Sequence, residues 1–286
     1  MLQAALDLSA RLLTLEASAR RVRGAEDGKA IHDFRVATRR LTAALDLWAP
    51  LLDPRSAART RQRVRRMRRE LSPIRDLQVL GTFLRERLAA APAEARVILE
   101  ARIARIDRKL ASLARRTRQV VRASRIERSR RGLLRAVRRS PAAAVSLRAA
   151  DLMQARIADT RERAQAALTR AWSNRDDRSL HEARVRIKAW RYARESGEAP
   201  ESGAPPAEDL RAVQESLGSV QDLAIVMRDL EKRARRARRK ERPALAETIE
   251  ALLEQLAAEK SQAALEAQRR STTLSVVALR GRTAAG

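Results

Sequence analysis

The chain lacks cysteine altogether and contains only two histidines among its 286 residues. Without cysteine there can be no disulfide, no thiolate metal ligand and no cysteine nucleophile. The two histidines, His32 and His181, are too far apart in sequence to suggest a metal site, and we expect neither a metal nor a cofactor. Aromatic residues make up 2% of the chain, and glycine and proline number nine each. This composition favours long helices over sheets and predicts an all-α protein.

The sequence also has no long hydrophobic segment. A run of about 18 consecutive apolar residues, the length needed for a membrane-spanning helix, does not occur. The N-terminal stretch MLQAALDLSARLL has no basic segment ahead of an apolar run, so it does not resemble a signal peptide. These features predict a cytoplasmic protein that does not associate with membranes.

Acidic residues are strongly outnumbered by basic ones. The 62 lysines and arginines and the 35 acidic residues give a formal charge of +27. Six of the basic residues are lysines, so 56 are arginines. A GC-rich genome would explain this preference for arginine, and so would phosphate binding, because a guanidinium group matches phosphate oxygens in a bidentate manner. A charge of this size indicates an anionic partner, since self-repulsion otherwise opposes a compact fold.

Helical periodicity extends from the start of the chain to about residue 272. In the second predicted helix, residues such as Ile31, Phe34 and Leu41 recur at spacings of three and four and mark a buried face. After residue 272 the pattern is lost, and residues 273–286 are expected to form a tail that is either disordered or a loosely packed end. The helices expected in the first half cover about residues 2–23, 29–48, 55–71, 73–90, 93–122 and 125–139.

The sequence predicts two tandem repeats. An offset of 149 residues aligns His32 with His181, and an offset of 146 aligns LSPIRDL at 71–77 with LGSVQDL at 217–223. Repeated helical units usually bury their apolar faces on each other. We therefore expect two bundles of about four helices each, related by a pseudo-twofold axis. The predicted bounds are about 1–140 for the first repeat, about 145–272 for the second, and 1–286 for the single domain that contains both.

Each histidine begins a row of basic residues on its helix. His32, Arg35 and Arg39 fall within roughly 60° of one another around an α-helix. A row of about 15 Å is expected in the second repeat, which fits an extended polyanion better than a single phosphate group. The histidines either take part in binding or only support the fold. The residues of the second row are His181, Arg184, Lys188 and Arg191.

Further candidates for the same binding surface lie close to the first row. Arg61, Arg65 and Arg68 follow on the next predicted helix at spacings of four and three residues, so they can line a groove from its opposite side. Arg211 is the counterpart of Arg65 in the second repeat. Arg40 lies next to the first row and is a weaker candidate, because its counterpart is an alanine.

Some charged residues have other interpretations. Asp76 and Asp222 recur at equivalent positions, and we expect each to pair with an arginine of the rows and hold its side chain in place. The arginine runs at 115–139 and 233–240 are interpreted as solvated helix faces, which is the usual role of such runs.

These elements resemble the CHAD family, the conserved histidine α-helical domain. The residues that carry the resemblance read HDFRVATRRL and HEARVRIKAWRY around the two histidines, and LSPIRDL and LGSVQDL after them. The resemblance covers about residues 1–270. It implies an all-helical, pseudo-twofold domain with a basic central groove or pore that binds inorganic polyphosphate, and an association with polyphosphate granules. Carried over by position, the family's binding residues fall on His32, Arg35, Arg39, His181, Arg184, Lys188 and Arg191.

Many CHAD relatives carry an attached triphosphate-tunnel domain. No acidic, β-rich segment that would correspond to it occurs here, so the resemblance is to a stand-alone member. A phosphohydrolase or kinase would need Mg²⁺-binding carboxylates, a phosphate-binding loop or an activated nucleophile, and the sequence has no G-x-x-x-x-G-K-[ST]. We therefore expect a binding protein and not an enzyme.

The alternative function is nonspecific binding of nucleic acid, as in histone-like proteins. The net charge suits this function, but the few aromatic residues provide few platforms on which bases could stack. Competition between polyphosphate and nucleic acid would separate the two functions. The sequence leaves the oligomeric state open.

Overall fold

The computed structural model describes residues 2–24, 28–89, 91, 93–139, 149–197 and 205–283. Across these ranges the backbone forms ten α-helices and one 3₁₀ turn at Ala49–Leu51, and it contains no strand. The predicted all-α class is confirmed. The helices are α1 (Leu2–Gly24), α2 (Gly28–Leu47), α3 (Pro54–Glu70), α4 (Ser72–Leu88), α5 (Ala93–Val120), α6 (Ala123–Arg138), α7 (Ala149–Asn174), α8 (Asp177–Gly197), α9 (Ala207–Arg239) and α10 (Pro243–Thr283).

Capping residues and prolines set the bounds of α3 and α4. Oδ1 of Asp53 accepts a hydrogen bond from the backbone N–H of Ser56 at 3.1 Å, and Pro54 occupies the first turn of α3. Hydrogen bonding to Ser56 lowers the pKa of Asp53. At the other end, Leu71 alone separates α3 from α4, and Pro73 lies in the first turn of α4. Because proline has no N–H to donate, the two helices remain distinct.

The last helix is longer than the sequence predicted. Helix α10 continues to Thr283, about eleven residues beyond the end of the helical periodicity in the sequence. The segment 273–280 contains no proline and no glycine. Its β-branched residues, including Val276 and Val277, lower helix propensity only slightly, so an established helix extends through them. Residues 284–286 lie outside the described part of the chain.

The chain divides into two compact units. The division passes through α4, α5, α7 and α8, so each of these helices contributes to both units. The two-repeat organisation, with its bounds near residues 140 and 145, stays a prediction. No helix in the described ranges is long and apolar enough to cross a membrane. Unit 1 comprises Met1–Thr82, Glu100–Ala158 and Tyr192–Glu198, and unit 2 comprises Phe83–Leu99, Asp159–Arg191 and Ala199–Gly286.

Unit 1 is built around α1, α2, α3 and α6. Helix α2 packs on α1 and on α3, and α3 packs on α6. Leu8 and Leu15 of α1 and Phe34, Leu41 and Leu45 of α2 are among its most deeply buried side chains. Burial of each such side chain contributes about 1.5–3 kcal/mol. The buried face of α2 is the one that its sequence spacing predicted.

The end of α8 is attached to α1 within unit 1. Nη2 of Arg11 donates to the carbonyl oxygen of Glu195 at 3.0 Å and to Oγ of Ser196 at 3.3 Å. Nε of Arg11 donates to Asp7 at 3.0 Å, and Asp7 also accepts a hydrogen bond from Nε1 of the buried Trp48 at 2.9 Å. The polar atoms at this junction therefore satisfy one another, as buried indole N–H groups require.

Unit 2 contains a helical hairpin formed by α9 and α10. The turn between them has Glu241 at φ 53°, in the left-handed region. The backbone N–H of Arg242 donates to the carbonyl oxygen of Ala237, and that of Glu241 donates to the carbonyl oxygen of Arg238, both at 3.1 Å. These two hydrogen bonds form a Schellman motif, which usually has glycine at the left-handed position. Pro243 then begins α10.

Replacing Glu241 with glycine is expected to stabilise the chain by up to about 1 kcal/mol. Glycine adopts a positive φ without steric cost, whereas glutamate is strained there. Urea denaturation measures the change in the free energy of unfolding. The control is Glu241→Ala, which removes the same carboxylate but keeps Cβ and should give no gain. A glycine variant no more stable than the alanine variant would contradict this explanation.

Candidate anion-binding site

The first predicted basic row lies on α2 in unit 1. Phe34 is buried on one side of the helix, Arg35 and Arg39 are half-buried, and His32 is exposed. Half-burial places the aliphatic stems of the arginines against the core and leaves less water around their guanidinium groups. The charge of these groups is therefore less well screened than on a solvated helix face.

Arg35 is held by the junction between α3 and α4. Its Nη1 donates to the carbonyl oxygen of Arg68 at 3.0 Å and to Oγ of Ser72 at 2.9 Å. Arg68 lies in the last turn of α3, where carbonyl groups lack intrahelical donors. Oγ of Ser72 donates to the same carbonyl oxygen at 3.2 Å. Because these acceptors are neutral, they fix the guanidinium group in position without neutralising its charge.

Arg35 lies within a cluster of like charges. Its pKa falls to about 10, chiefly through burial and then through the charge of Arg39, with smaller contributions from Arg68 and Arg75. The carboxylate of Asp76 raises the pKa of Arg35 and so acts in the opposite direction, as expected if Asp76 supports this arginine. Arg35 still carries its proton at neutral pH. We refer to Arg35, Arg39, Arg68 and Arg75 as the Arg35 cluster.

Burial and neighbouring positive charges also act on Arg68. Its pKa is lowered by burial and then by the charges of Arg39, Arg65 and Arg69. In the part of the chain that the structure describes, no carboxylate forms an ion pair with Arg39, Arg68 or Arg75. A bound anion would remove this repulsion, so the cluster favours an anionic ligand.

The other predicted residues of unit 1 do have carboxylate partners. Arg61 and Arg65 both contact Asp46, the latter with 3.3 Å between Nη2 and Oδ2. Nε of Arg40 lies 3.2 Å from Oε2 of Glu195. Arg40 thus helps to hold the end of α8, which is a structural role. Partly exposed ion pairs of this kind contribute about 1 kcal/mol or less, so an incoming polyanion could compete for Arg61 and Arg65.

The second predicted row lies on α8 in unit 2. Oδ1 of Asp176 accepts a hydrogen bond from the backbone N–H of Ser179 at 2.7 Å, which lowers the pKa of Asp176 and caps the helix. Nδ1 of the exposed His181 lies 2.9 Å from Oε1 of Gln221 on α9. With a carbonyl oxygen as its partner, Nδ1 carries the proton. Nε2 can then donate a hydrogen bond only when the imidazole is protonated.

Arg184 packs closely against α9. A Cβ atom at Gly218 would lie 3.4 Å from Nη2 and 3.5 Å from Nε of Arg184. These are ordinary van der Waals distances, so the guanidinium group of Arg184 lies directly against Gly218. The offset of 146 pairs Gly218 with Ser72, which contacts Arg35. Arg35 and Arg184, which the predicted repeat pairs with each other, therefore each contact the residue at the paired position of the neighbouring helix.

Lys188 is the most deeply buried residue of the second row. It is only 8% exposed and lies near the fully buried Ile187 and Trp190 on α8. Arg191 is half-buried.

On α9 of unit 2, the predicted binding residue Arg211 is paired with a carboxylate. Nε of Arg211 pairs with Oε1 of Glu215 at 2.8 Å, which raises the pKa of Arg211. Glu215 occupies the position of Arg69 in the first repeat. Asp222 is half-buried, and its supporting role stays a prediction. No group of three or more His, Asp or Glu side chains in the described ranges is arranged to hold a metal ion.

The sequence reasoning missed Arg75, Ser72 and Gln221. Arg68, Ser72 and Arg75 are four and three residues apart, which is helical spacing, but this spacing continues across the helix break before Pro73. The signal for Gln221 is that the offset of 146 pairs it with Arg75, immediately before the two repeated aspartates.

These observations define a helical protein that concentrates arginines where the ends of several helices meet. A family model described as the CHAD domain matches residues 7–230. The chain therefore belongs to the CHAD family, and the resemblance found in the sequence is confirmed.

Two solved structures are similar over nearly the whole chain. The CHAD domain from the plant Ricinus communis has 24% sequence identity and a TM-score of 0.70, with coverage of 92% of this chain and 87% of that one. PptA from Streptomyces chartreusis has 21% identity and a TM-score of 0.67, with coverage of 94% and 98%. At these identities the similarity establishes the fold alone. No curated protein matches the chain.

Proposed function

We propose that the protein binds inorganic polyphosphate. The observation that carries this proposal is the Arg35 cluster, in which several guanidinium groups lower the pKa of Arg35 and only Asp76 opposes them. Like charges held together in this way favour a ligand that supplies several negative charges at once. Membership of the CHAD family supports inorganic polyphosphate as that ligand.

Binding would follow from phosphate recognition by preorganised guanidinium groups. Polyphosphate carries a negative charge on each successive phosphate unit, and a guanidinium group binds phosphate oxygens in a bidentate manner. Arg35 is already fixed by Arg68 and Ser72, so little side-chain entropy would be lost when it binds. Displaced counterions would add a salt-dependent contribution. On α8, Arg184 and Arg191 would extend the basic surface of unit 2.

The aromatic residues argue against recognition of single-stranded nucleic acid. Binding of this kind relies on exposed rings on which bases stack. None of the six aromatic side chains is exposed, and four of them are buried. Duplex nucleic acid, which offers only its phosphates and groove edges, is therefore the relevant competitor. The buried aromatic residues are Phe34, Trp48, Trp190 and Tyr192.

Direct competition tests the proposal. Labelled long-chain polyphosphate is bound to the protein at physiological salt and displaced with unlabelled polyphosphate or with duplex DNA of equal phosphate content. We expect polyphosphate to bind at least about tenfold more tightly, because a flexible chain can follow the arginine positions whereas a rigid duplex cannot. Equal displacement by the two polymers would favour nonspecific nucleic-acid binding instead.

The proposal includes the absence of catalysis. Incubation of the protein with polyphosphate and Mg²⁺ should release no more orthophosphate than buffer does, and sustained release would overturn this part. We further propose a cytoplasmic location at polyphosphate granules. A fluorescent fusion should co-localise with stained granules, and substitution of Arg39, Arg68 and Arg75 with glutamine should disperse it.

Affinity for polyphosphate is expected to rise as the pH falls from 8 to 5.5. A protonated imidazole carries a positive charge, which strengthens its attraction to a polyanion. Protonation also turns Nε2 of His181 into a hydrogen-bond donor, because Nδ1 is already engaged by Gln221. Binding measured at constant ionic strength checks the effect. The double variant His32→Gln, His181→Gln should bind with little dependence on pH, and a flat profile for the unmodified protein would make both histidines structural.

A further inference from the structure

A second arginine-rich region surrounds a cavity on another side of α3. The cavity has two adjoining lobes, with volumes of about 890 and 580 Å³. Residues of α3, α5 and α6 line both lobes, and all of them belong to unit 1. Arg35, Arg39 and Arg68 do not line it. The volumes lie in the usual range of small-ligand pockets, about 300–1,000 Å³.

Helical geometry separates this cavity from the Arg35 cluster. Two residues along an α-helix correspond to a rotation of about 200°. Arg63 precedes Arg65 by two residues, and Arg66 precedes Arg68 by two residues. Arg63 and Arg66 therefore point to nearly the opposite side of the helix from Arg65 and Arg68. Arg69, which lines the cavity and also lowers the pKa of Arg68, points between these two directions.

Glu70 is the single acidic residue among those that line the two lobes. It accepts hydrogen bonds from Arg125 of α6 at 2.7 and 2.9 Å and from Nε of Arg66 at 3.0 Å. These hydrogen bonds, with Arg125 as the largest contribution, lower the pKa of Glu70 to about 2. Glu70 and Arg125 thus form a fixed connection between α3 and α6, and they hold the cavity walls in position.

Three further arginines of the cavity have no carboxylate partner in the described part of the chain. Arg59 of α3, Arg116 of α5 and Arg128 of α6 are exposed, and within the described ranges none of them forms an ion pair with a carboxylate. They come from three different helices: Arg59 lines the larger lobe, Arg128 the smaller one, and Arg116 both. This is the arrangement that binds a multiply charged anion from several directions.

Two other arginines that line the cavity, Arg63 and Arg69, have no basic counterpart in the predicted second repeat. The offset of 146 pairs Arg63 with Asp209 and Arg69 with Glu215. A GC-rich genome can explain arginine in place of lysine, but it cannot explain basic residues in one repeat and acidic residues at the same positions of the other. The basic face is specific to the first repeat, which indicates a local function.

We propose that this cavity is a separate binding site for a compact anion that carries several clustered phosphate groups. An open depression lined by arginines from three helices suits a compact ligand with several negative charges, whereas the Arg35 cluster suits an extended one. Linear tripolyphosphate and a cyclic inositol polyphosphate share the required chemistry. The arginines at 115–139, which the sequence suggested were only a solvated face, here supply two walls of the site.

Isothermal titration calorimetry on the full chain tests this proposal with two probes, inorganic tripolyphosphate and inositol hexakisphosphate. The cavity variant combines Arg59→Ala, Arg116→Ala and Arg128→Ala. Each of these side chains is exposed, so their removal spares the core and the contact between Glu70 and Arg125. The matched control removes three exposed arginines from the end of α9, with the changes Arg235→Ala, Arg236→Ala and Arg239→Ala.

We expect the cavity variant to bind the preferred probe at least about tenfold more weakly, and the control variant to change by less than about threefold. Tighter binding of one probe than the other identifies the linear or the cyclic ligand. Equal losses in the two variants would mean that diffuse charge binds the probes and would overturn the proposal. If the cavity variant fails to fold, as judged by circular dichroism, Arg116→Gln alone should still weaken binding by about threefold or more, and an unchanged affinity would overturn the proposal.

The outcome is distinguishable from that of the proposed function. Long-chain polyphosphate should bind to the cavity variant within about threefold of its affinity for the unmodified protein, because the Arg35 cluster is intact. Substitution of Arg39, Arg68 and Arg75 with glutamine should in turn leave binding of the preferred compact probe within about threefold. A loss of compact-probe binding in that variant alone would mean that the cavity is not a separate site.

Discussion

Replacing Arg39, Arg68 and Arg75 with glutamine is expected to weaken binding of long-chain polyphosphate by about a hundredfold or more. Each substitution removes a guanidinium group that has no carboxylate partner in the described part of the chain. Glutamine keeps most of the aliphatic stem and a polar end, so packing against the core is retained. The loss therefore reports charge and bidentate hydrogen bonding, and not a change of fold.

The same variant should be at least as stable as the unmodified protein. The pKa of Arg35 is lowered to about 10 by burial and by neighbouring positive charges, which means that folding brings like charges together. Removing three of these charges relieves that repulsion, with a gain of up to about 1 kcal/mol in the free energy of unfolding. Weaker binding together with unchanged or greater stability is characteristic of a functional site, since a structural residue would lose both.

Two measurements and one control check this prediction. Urea denaturation gives the free energy of unfolding, and affinity measured over a range of salt concentrations gives the number of phosphate groups that the protein neutralises. The slope of log K against log salt should fall by about 0.7 for each phosphate group that is no longer neutralised. The control Arg235→Gln, Arg236→Gln, Arg239→Gln removes the same charge from α9 and should change affinity by less than about threefold. Equal losses of affinity in both variants would leave net charge alone as the cause of binding.

Replacing Gly132 with alanine is expected to lower the free energy of unfolding by about 1–3 kcal/mol. Gly132 lies on α6 where this helix packs on α3, and both Gly132 and Thr60 are buried. A Cβ atom at position 132 would lie 2.4 Å from Oγ1 of Thr60. Since Oγ1 is held by a hydrogen bond to the carbonyl oxygen of Ser56 at 2.8 Å, it cannot move away without breaking that bond. The steric cost exceeds the gain of about 1 kcal/mol that alanine ordinarily brings inside a helix.

Removing the hydroxyl group of Thr60 should abolish or reverse the loss of stability caused by Gly132→Ala. In a Thr60→Ala background, the nearest atom of residue 60 to the new Cβ is its own Cβ, at 3.6 Å, an ordinary van der Waals distance. Nη1 of Arg63, at 3.0 Å, belongs to a flexible side chain that can move. Gly132→Ala should then be neutral or stabilising by up to about 1 kcal/mol. Urea denaturation of the four proteins of the cycle gives the coupling energy, and additive effects would refute the steric explanation.

Much of the architecture could be predicted because helical periodicity is a local property. The buried face of α2 and the basic row beside it follow from spacings of three and four residues within one helix. The end of α10 could not be predicted in this way, because residues 273–283 lose the apolar pattern without containing a residue that breaks a helix until Gly281. The loss of apolar periodicity after residue 272 therefore did not mark the end of α10.

The candidate site was predictable only where its residues share a helix. Arg35 and Arg39 could be recognised together, but the bond from Arg35 to the carbonyl oxygen of Arg68 depends on how α2 meets the end of α3. The burial of Lys188 and the pairing of Arg61 with Asp46 likewise depend on tertiary packing. For the same reason, Arg59, Arg116 and Arg128 look like unrelated surface charges in the sequence, although they line one cavity in the structure.

The contribution of α8 to unit 1 has a consequence for folding during synthesis. Unit 1 begins at the N-terminus, yet it includes residues 192–198. Within this unit, Arg11 of α1 and Arg40 of α2 both contact Glu195 of α8. A ribosome therefore has to translate most of the chain before the packing of unit 1 can be completed. Domains usually fold in the order in which they are synthesised. Here the first unit has to wait for α8, so the nascent chain carries its unfinished N-terminal helices until well past the middle of translation.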